Sequence, residues 1–244
     1  MTTESAATPA RTIFLAGDST AAPKDLGVAP EAGWGMALPF YLADRIAVAN
    51  HARNGRSTKS FVDEGRLAAL LAEAREGDVV VIQFSHNDEK IEDPTRYTEP
   101  WSTYQEHLAL YLEGVRERGA VPVLATSAER RRFDEGGKAL PTHGEYPDAM
   151  RALAEREGVP FVEVQRTTLA LWQRLGPDET TRYLLHTPDG RRDDTHFNTP
   201  GAAAVAAIVA RGLVQAGVLT PEDVHSLDQV PEPSWFAWLA EPPA

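Results

Sequence analysis

A serine, a histidine and an acidic residue stand in this chain where acyl-transfer chemistry would want them. Gly17-Asp18-Ser19-Thr20 lies directly behind a short apolar run, and Asp193-Asp194-Thr195-His196 lies near the far end. A serine hydroxyl is a weak nucleophile until a neighbouring base takes its proton. An imidazole serves as that base once a carboxylate fixes its tautomer. Asp193 and His196 are spaced i, i+3, so one helical or 3₁₀ turn would put both side chains on one side. Asp193 would then accept the Nδ1–H and leave Nε2 facing Ser19. The order Ser, Asp, His also suits the α/β-hydrolases, but those carry the serine in a G-x-S-x-G elbow. The Ser19 segment is no such elbow.

The elements that would position these groups follow from hydrophobic patterning. Residues 12–16 form a largely apolar run without polar alternation, as a strand buried on both faces requires, and Gly17 ends the run. Similar runs recur at 45–49, 79–84, 121–125 and 159–164. Helical periodicity lies between them, at 61–74, at 107–117 (Leu108, Leu112, Val115) and at 148–157 (Met150, Leu153, Ala154). A last helix is expected from Thr199 as N-cap and Pro200 at N1 through Val214. Alternating strand and helix predicts an α/β fold, a three-layer α/β/α sandwich on a five-stranded parallel sheet. Residues 1–10 are expected to be a disordered tail, and 11–244 one domain with an aromatic C-terminal extension. In that extension Trp235, Phe236 and Trp238 are expected to pack on the domain or on a subunit partner. Ser19, Gly55 and Asn87 each follow a predicted strand and His196 precedes a helix. All would therefore meet on the rim where open α/β sheets bind ligands.

Four stretches carry a resemblance. GDSTAAP with Gly33-Trp34-Gly35, ARNGRSTKSF, FSHND and DDTHFNTPGA occur in that order. With Ser19, Gly55, Asn87 and His196 they match the four blocks of the SGNH (GDSL-type) hydrolases. The chain looks most similar to the rhamnogalacturonan acetylesterase branch, a likeness that Arg130 to Ala154 shares. The resemblance implies a flavodoxin-like SGNH fold and a serine carbohydrate esterase that removes O-acetyl groups from plant-polysaccharide oligosaccharides. It implies Ser19 as nucleophile and His196 as base, and it selects Asp193 over Asp194 as the orienting carboxylate. The oxyanion hole would comprise the backbone N–H groups of Ser19 and Gly55 and the Asn87 amide. One departure stands out. The third block usually reads Gly-x-Asn-Asp, and Ser85 replaces its glycine here; a positive φ at that position would strain a serine. Candidate substrate contacts are Trp34 as an apolar wall, Arg130, Arg131 and Arg132 as a clamp for a uronate carboxylate, and His143 and Tyr146 in the sugar site.

Composition narrows the partners. The chain has 244 residues, 42% hydrophobic and 25% charged, with a formal net charge of −12. That charge argues against nucleic acid or an anionic membrane, and a polyanionic pectin fragment would need a local basic site to offset it. There is no cysteine, which suits a reducing cytoplasm. The Met1-Thr2-Thr3-Glu4-Ser5 start lacks the basic and apolar regions of a secretory signal, so a cytoplasmic location is expected. No cofactor is expected, and no metal, although His186 or Asp194 beside Asp193 and His196 lends zinc a weak case. A homo-oligomer is left open. The alternatives are an SGNH esterase acting on acetylated xylo-oligosaccharides or simple lipid and aryl esters, and a non-catalytic carbohydrate-binding module.

Overall fold

The computed structural model describes residues 11–232 and 234–237; the expected tail 1–10 and Trp238 lie outside them. Strands β1 (Arg11–Gly17), β2 (Ile46–Asn50), β3 (Val79–Gln83), β4 (Val121–Ala125) and β5 (Phe161–Val162) form one parallel sheet in the order β2-β1-β3-β4-β5. The helices are α1 (Trp34–Ala37), α2 (Thr58–Asp63), α3 (Arg66–Glu73), α4 (Gln105–Glu117), α5 (Tyr146–Glu157), α6 (Val164–Thr180), α7 (Thr199–Gln215) and α8 (Ser234–Ala237).

Strand residues alternate between two cores, as the period of a strand dictates. Ile13, Leu15, Val79, Val81 and Val123 pack with α1, α6 and α7. Phe14, Ala16, Val80, Ile82 and Leu124 pack with α2, α3, α4 and α5. The three-layer α/β/α architecture is therefore the expected one. With both faces covered, the middle strands carry no polar alternation, which explains their continuous apolar runs.

Several local expectations are corrected. The single helix expected at 61–74 is two, because Gly65 adopts φ 71° between α2 and α3. The run at 159–164 gives only the two residues of β5, since α6 begins at Val164. The cap of α7 is Asn198 rather than Thr199: its side chain accepts from the Gly201 N–H at 3.1 Å. Trp235 meets Phe40 edge to face, with ring centroids 5.3 Å apart, and Phe236 is buried. That much of the aromatic extension packs on the domain.

The largest correction concerns the Asp193–His196 segment. It is not a helical turn but part of an antiparallel ribbon, β6 (Leu184–His186) with β7 (Arg192–Phe197). Leu184 pairs with Phe197 while the next residue, Leu185, pairs with Asp193. Residues 194–196 thus bulge out of the ladder without partners in it. Such a bulge re-aims side chains, and here it folds His196 back onto Asp193.

Candidate active site

The turn after β1 is built by Asp18, not by Ser19. The buried Asp18 carboxylate accepts from the Thr20 N–H at 2.8 Å and from the Thr20 hydroxyl at 2.7 Å. Its carbonyl accepts from the Ala21 and Ala22 N–H groups. Asp18 therefore caps the turn, and the Ser19 hydroxyl is left available to His196. Gly33-Trp34-Gly35 backs this turn. A Cβ on Gly33 would stand 2.1 Å from the Ala22 carbonyl oxygen, and one on Gly35 would stand 2.6 Å from that of Ala21. Only glycine lets α1 approach so closely.

Across the rim, Ser19 Oγ lies 2.9 Å from His196 Nε2, and His196 Nδ1 lies 2.8 Å from Asp193 Oδ2. The other Asp193 oxygen accepts from the Thr195 and His196 backbone N–H groups at 2.8 and 2.9 Å. One carboxylate thus holds both the bulge and the imidazole tautomer. Burial alone would raise the Asp193 carboxyl, but the hydrogen bonds from His196 and from the two backbone N–H groups outweigh it and hold it well below the usual carboxylate range. Asp194 turns elsewhere, to His186 Nε2 at 2.8 Å and Arg131 at 3.1 Å.

The next two strands deliver the remaining groups. Gly55 follows β2 with φ 78°, the left-handed region that favours glycine. Asn87 follows β3; its Nδ2 donates to the Arg56 carbonyl at 3.0 Å, which fixes the amide and leaves a second Nδ2 hydrogen. Ser85 is not strained: the non-glycine residue with positive φ among the described residues is Ser226. Ser85 Oγ instead meets His143 Nδ1 at 3.2 Å. Beside these groups lies a cavity of about 320 Å³ lined by Gly55, Arg56, Ser60, Asp63, Glu64, Thr95 and Arg96. A serine hydrogen-bonded to a histidine that a carboxylate orients can perform acyl transfer.

The profile of the GDSL-like Lipase/Acylhydrolase family matches residues 15–204, most of the chain and all four blocks. The chain belongs to that family. It is 44% identical over 214 residues to rhamnogalacturonan acetylesterase RhgT of Bacillus subtilis, covering 84% of this chain and 90% of that one. A rhamnogalacturonan acetylesterase of Emericella nidulans is 29% identical over 240 residues, 88% of this chain and 91% of that one. Among solved structures, the Bacillus subtilis protein YXIM superposes with a TM-score of 0.76 at 28% identity, over 85% of this chain and 57% of that chain. The acetyl-xylooligosaccharide esterase Axe2 of Geobacillus shares the fold with a TM-score of 0.58 at 14% identity, over 87% of this chain and 96% of that one.

Around the core of this GDSL-like acylhydrolase, most of the expected substrate contacts are committed to the protein itself. Trp34 is 1% exposed and donates Nε1–H to Gln83 at 2.9 Å, so it is core rather than a wall of the site. His143 is also 1% exposed, its Nε2–H donating to the Ala128 carbonyl at 2.9 Å while Nδ1 meets Glu89. Burial opposes charge on His143, but the Glu89 carboxylate outweighs it and raises the ring above its usual range. The Tyr146 hydroxyl donates to the Asp88 and Thr98 carbonyls inside the fold. Arg130 pairs with Glu89 at 2.8 Å. Arg131 braces the bulge, donating its backbone N–H to the Asp194 carbonyl at 2.8 Å and its side chain to Asp194 and Pro177. Arg132 alone of the three is exposed. The arginine triplet is thus mainly a brace, its charge spent on Glu89 and Asp194.

Sequence reading missed Asp18 and His86, which support the turn from below. His86 Nδ1 lies 3.1 Å from Asp18 Oδ2, and its ring stands edge to face with His143 at 4.6 Å. Burial keeps His86 below its usual range, so the neutral ring donates Nδ1–H. Burial raises the Asp18 carboxyl, but the His86 ring and the Thr20 donors outweigh it and bring it down to about 2. Unfolded, such a carboxyl titrates near ~3.9. The folded state then binds fewer protons between these values, so the stability Asp18 contributes is present above the unfolded value and lost as pH falls through the folded one. The melting temperature of Asp18→Asn is expected to lie below that of wild type at about pH 5, and the gap to close towards about pH 2. A pH-independent gap in thermal unfolding would refute this.

Among the described residues, no three histidine, aspartate or glutamate side chains converge as a metal site requires, and no helix is long and apolar enough to cross a membrane.

Proposed function

We propose that this carboxylic ester hydrolase removes acetyl groups from rhamnogalacturonan-type oligosaccharides through an acetyl-enzyme on Ser19. The observation that carries the chemistry is the unbroken chain from Ser19 Oγ through His196 to Asp193, at 2.9 and 2.8 Å. His196 Nε2 takes the Ser19 proton as Oγ attacks the acetyl carbonyl. The oxyanion meets the Ser19 and Gly55 N–H groups and the free Nδ2 hydrogen of Asn87. His196, now an imidazolium stabilised by Asp193, returns the proton to the departing sugar oxygen. Water then attacks the acetyl-enzyme with His196 again as base, releasing acetate and restoring Ser19.

The substrate class rests on the relatives named rhamnogalacturonan acetylesterases, at 44% identity for the Bacillus subtilis protein. The likeness to the acetyl-xylooligosaccharide esterase, at 14% identity, concerns the fold alone. We assign the enzyme to the cytoplasm, a reducing compartment that suits a chain with no cysteine.

Acetate release from acetylated rhamnogalacturonan oligosaccharides, run beside acetylated xylo-oligosaccharides, tests this reading. Release is expected to be at least about tenfold faster on the pectin fragments, a difference of roughly 1.4 kcal/mol in transition-state binding. Serine-dependent release from the xylan fragments alone would keep the chemistry and replace the substrate. Release from neither would overturn the oligosaccharide reading and leave simple lipid or aryl esters, or a non-catalytic carbohydrate-binding module, as the alternatives.

A further inference from the structure

A buried lysine sits at the junction of the loops that carry the site, and the hydrolytic chemistry leaves it unused. The Lys24 side chain is 2% exposed. Its Nζ donates to Asn54 Oδ1 at 2.7 Å and pairs with Glu31 at 2.9 Å. Ammonium burial is costly unless the charge is met by good partners, so this geometry has to be held closely. Each partner leads to the catalytic rim. Asn54 is the residue before Gly55. Glu31 bridges to Asn198, and the neighbouring Ala32 N–H donates to the Phe197 carbonyl at 2.9 Å, directly behind His196. The outer oxygen of Glu31 takes Arg191 at 2.8 Å.

Asn54 is gripped a second time. Arg56 Nη1 donates to the Asn54 carbonyl at 2.8 Å, and Arg56 is itself anchored by Glu64 at 3.0 Å. In a trans peptide the C=O and the following N–H point in opposite directions. Holding the Asn54 carbonyl on Arg56 therefore aims the Gly55 N–H away from that guanidinium and leaves it unclaimed by Arg56 for the proposed oxyanion. Lys24 holds the same residue by its side chain, a second restraint on the peptide plane.

We propose that Lys24 is a positioning residue for the hydrolytic reaction, locking the Asn54–Gly55 peptide and the His196 bulge around Ser19 through Asn54 and Glu31. This rests on the acyl-transfer reading of Ser19, Gly55 and His196. It has an electrostatic corollary, because Lys24 and Glu31 bring opposite charges to the side of the bulge. The other charges around His196 are Asp193 on its own ribbon, Arg191 on Glu31, and Asp194 held by His186 and Arg131. Removing the Lys24 cation leaves the Glu31 carboxylate less compensated and favours a protonated imidazole. Removing the Glu31 charge does the reverse.

The test is steady-state hydrolysis of p-nitrophenyl acetate by wild type, Lys24→Met, Asn54→Ala and Glu31→Gln, with kcat/KM followed against pH and thermal unfolding recorded for each. Lys24→Met and Asn54→Ala are expected to lose about tenfold in kcat with KM changed less than about twofold, the pattern of a donor misaimed in the transition state. The acid limb of kcat/KM is expected to move by about half a pH unit, upward in Lys24→Met and downward in Glu31→Gln. A merely structural role would not give shifts of opposite sign. Asn54 is exposed, so its variant decides the kcat effect if Lys24→Met does not fold. Wild-type kcat in both variants, or acid limbs that stay in place, would overturn the proposal while leaving the esterase reading intact. Absence of Ser19-dependent hydrolysis in wild type would overturn both.

Discussion

Replacing Ser19 by alanine is expected to lower kcat for acetate release by about 10⁵- to 10⁶-fold, with KM for the oligosaccharide little changed. The size follows from what the substitution removes. Oγ is the atom that would bond the acetyl carbon, and it is the hydrogen-bond partner of His196 Nε2 at 2.9 Å. Without it His196 has no proton to accept, and the remaining members of the chain lose their purpose together. The turn itself should survive, because Asp18 and not Ser19 closes it on the Thr20 N–H and hydroxyl. The Ser19 N–H also stays in place, so a residual rate over water is expected from the amide donors and from substrate binding. A mass-spectrometric check goes with the kinetics: a fluorophosphonate adduct on Ser19 in wild type, and none in Ser19→Ala. If the alanine variant kept even about 1% of the wild-type rate, the nucleophile would have to be sought elsewhere.

That the turn outlives its serine shows how unevenly this site could be read from the sequence. Ser19, Gly55, Asn87 and the Asp193–His196 pair were legible because each stands beside a strong local marker. An apolar run precedes Ser19, Gly55 and Asn87, and a helix start follows the Asp193–His196 pair. The five-stranded sheet was legible for the same reason, since strands covered on both faces leave uninterrupted apolar runs. The β6–β7 ribbon was not. Its sequence, Arg192-Asp193-Asp194-Thr195-His196-Phe197, is nearly all polar because residues 194–196 leave the ladder. A bulge of that kind has no hydrophobic period to betray it. The substrate contacts failed for another reason. A charge or an aromatic ring does not reveal from its neighbours in sequence whether it faces solvent or a partner distant in the chain. Arg130 found Glu89, and Trp34 found Gln83, so their chemistry went into the scaffold. Lys24 is equally illegible in sequence, because its partner Asn54 lies 30 positions along the chain.

The choice between the two adjacent aspartates carries the second large effect. Asp193→Asn is expected to reduce kcat by about 10⁴-fold while leaving the fold intact. The asparagine keeps an oxygen where Asp193 Oδ1 now accepts the Thr195 and His196 N–H groups at 2.8 and 2.9 Å. The bulge therefore holds. What changes is the face towards the ring, where Oδ2 now accepts from His196 Nδ1 at 2.8 Å. An amide NH₂ placed there would donate instead, so Nδ1 must become the acceptor and the ring proton moves to Nε2. That nitrogen then faces Ser19 already protonated and cannot take its proton. The loss of charge adds to this, since no carboxylate remains to stabilise an imidazolium. Asp193 lies well below the usual carboxylate range, because its hydrogen bonds from His196 and the backbone outweigh burial. Its own titration therefore cannot supply the acid limb of the activity profile, and that limb should survive in shape in variants that leave Asp193 alone. Asp194→Asn provides the contrast. Its carboxylate serves His186 and Arg131, and its backbone carbonyl, which Arg131 also holds, is untouched by the substitution. Its kcat is expected to stay within about threefold of wild type, the scale of losing one exposed ion pair. Equal losses in the two variants would mean that the aspartates act only by shaping the bulge, and that neither sets the His196 tautomer.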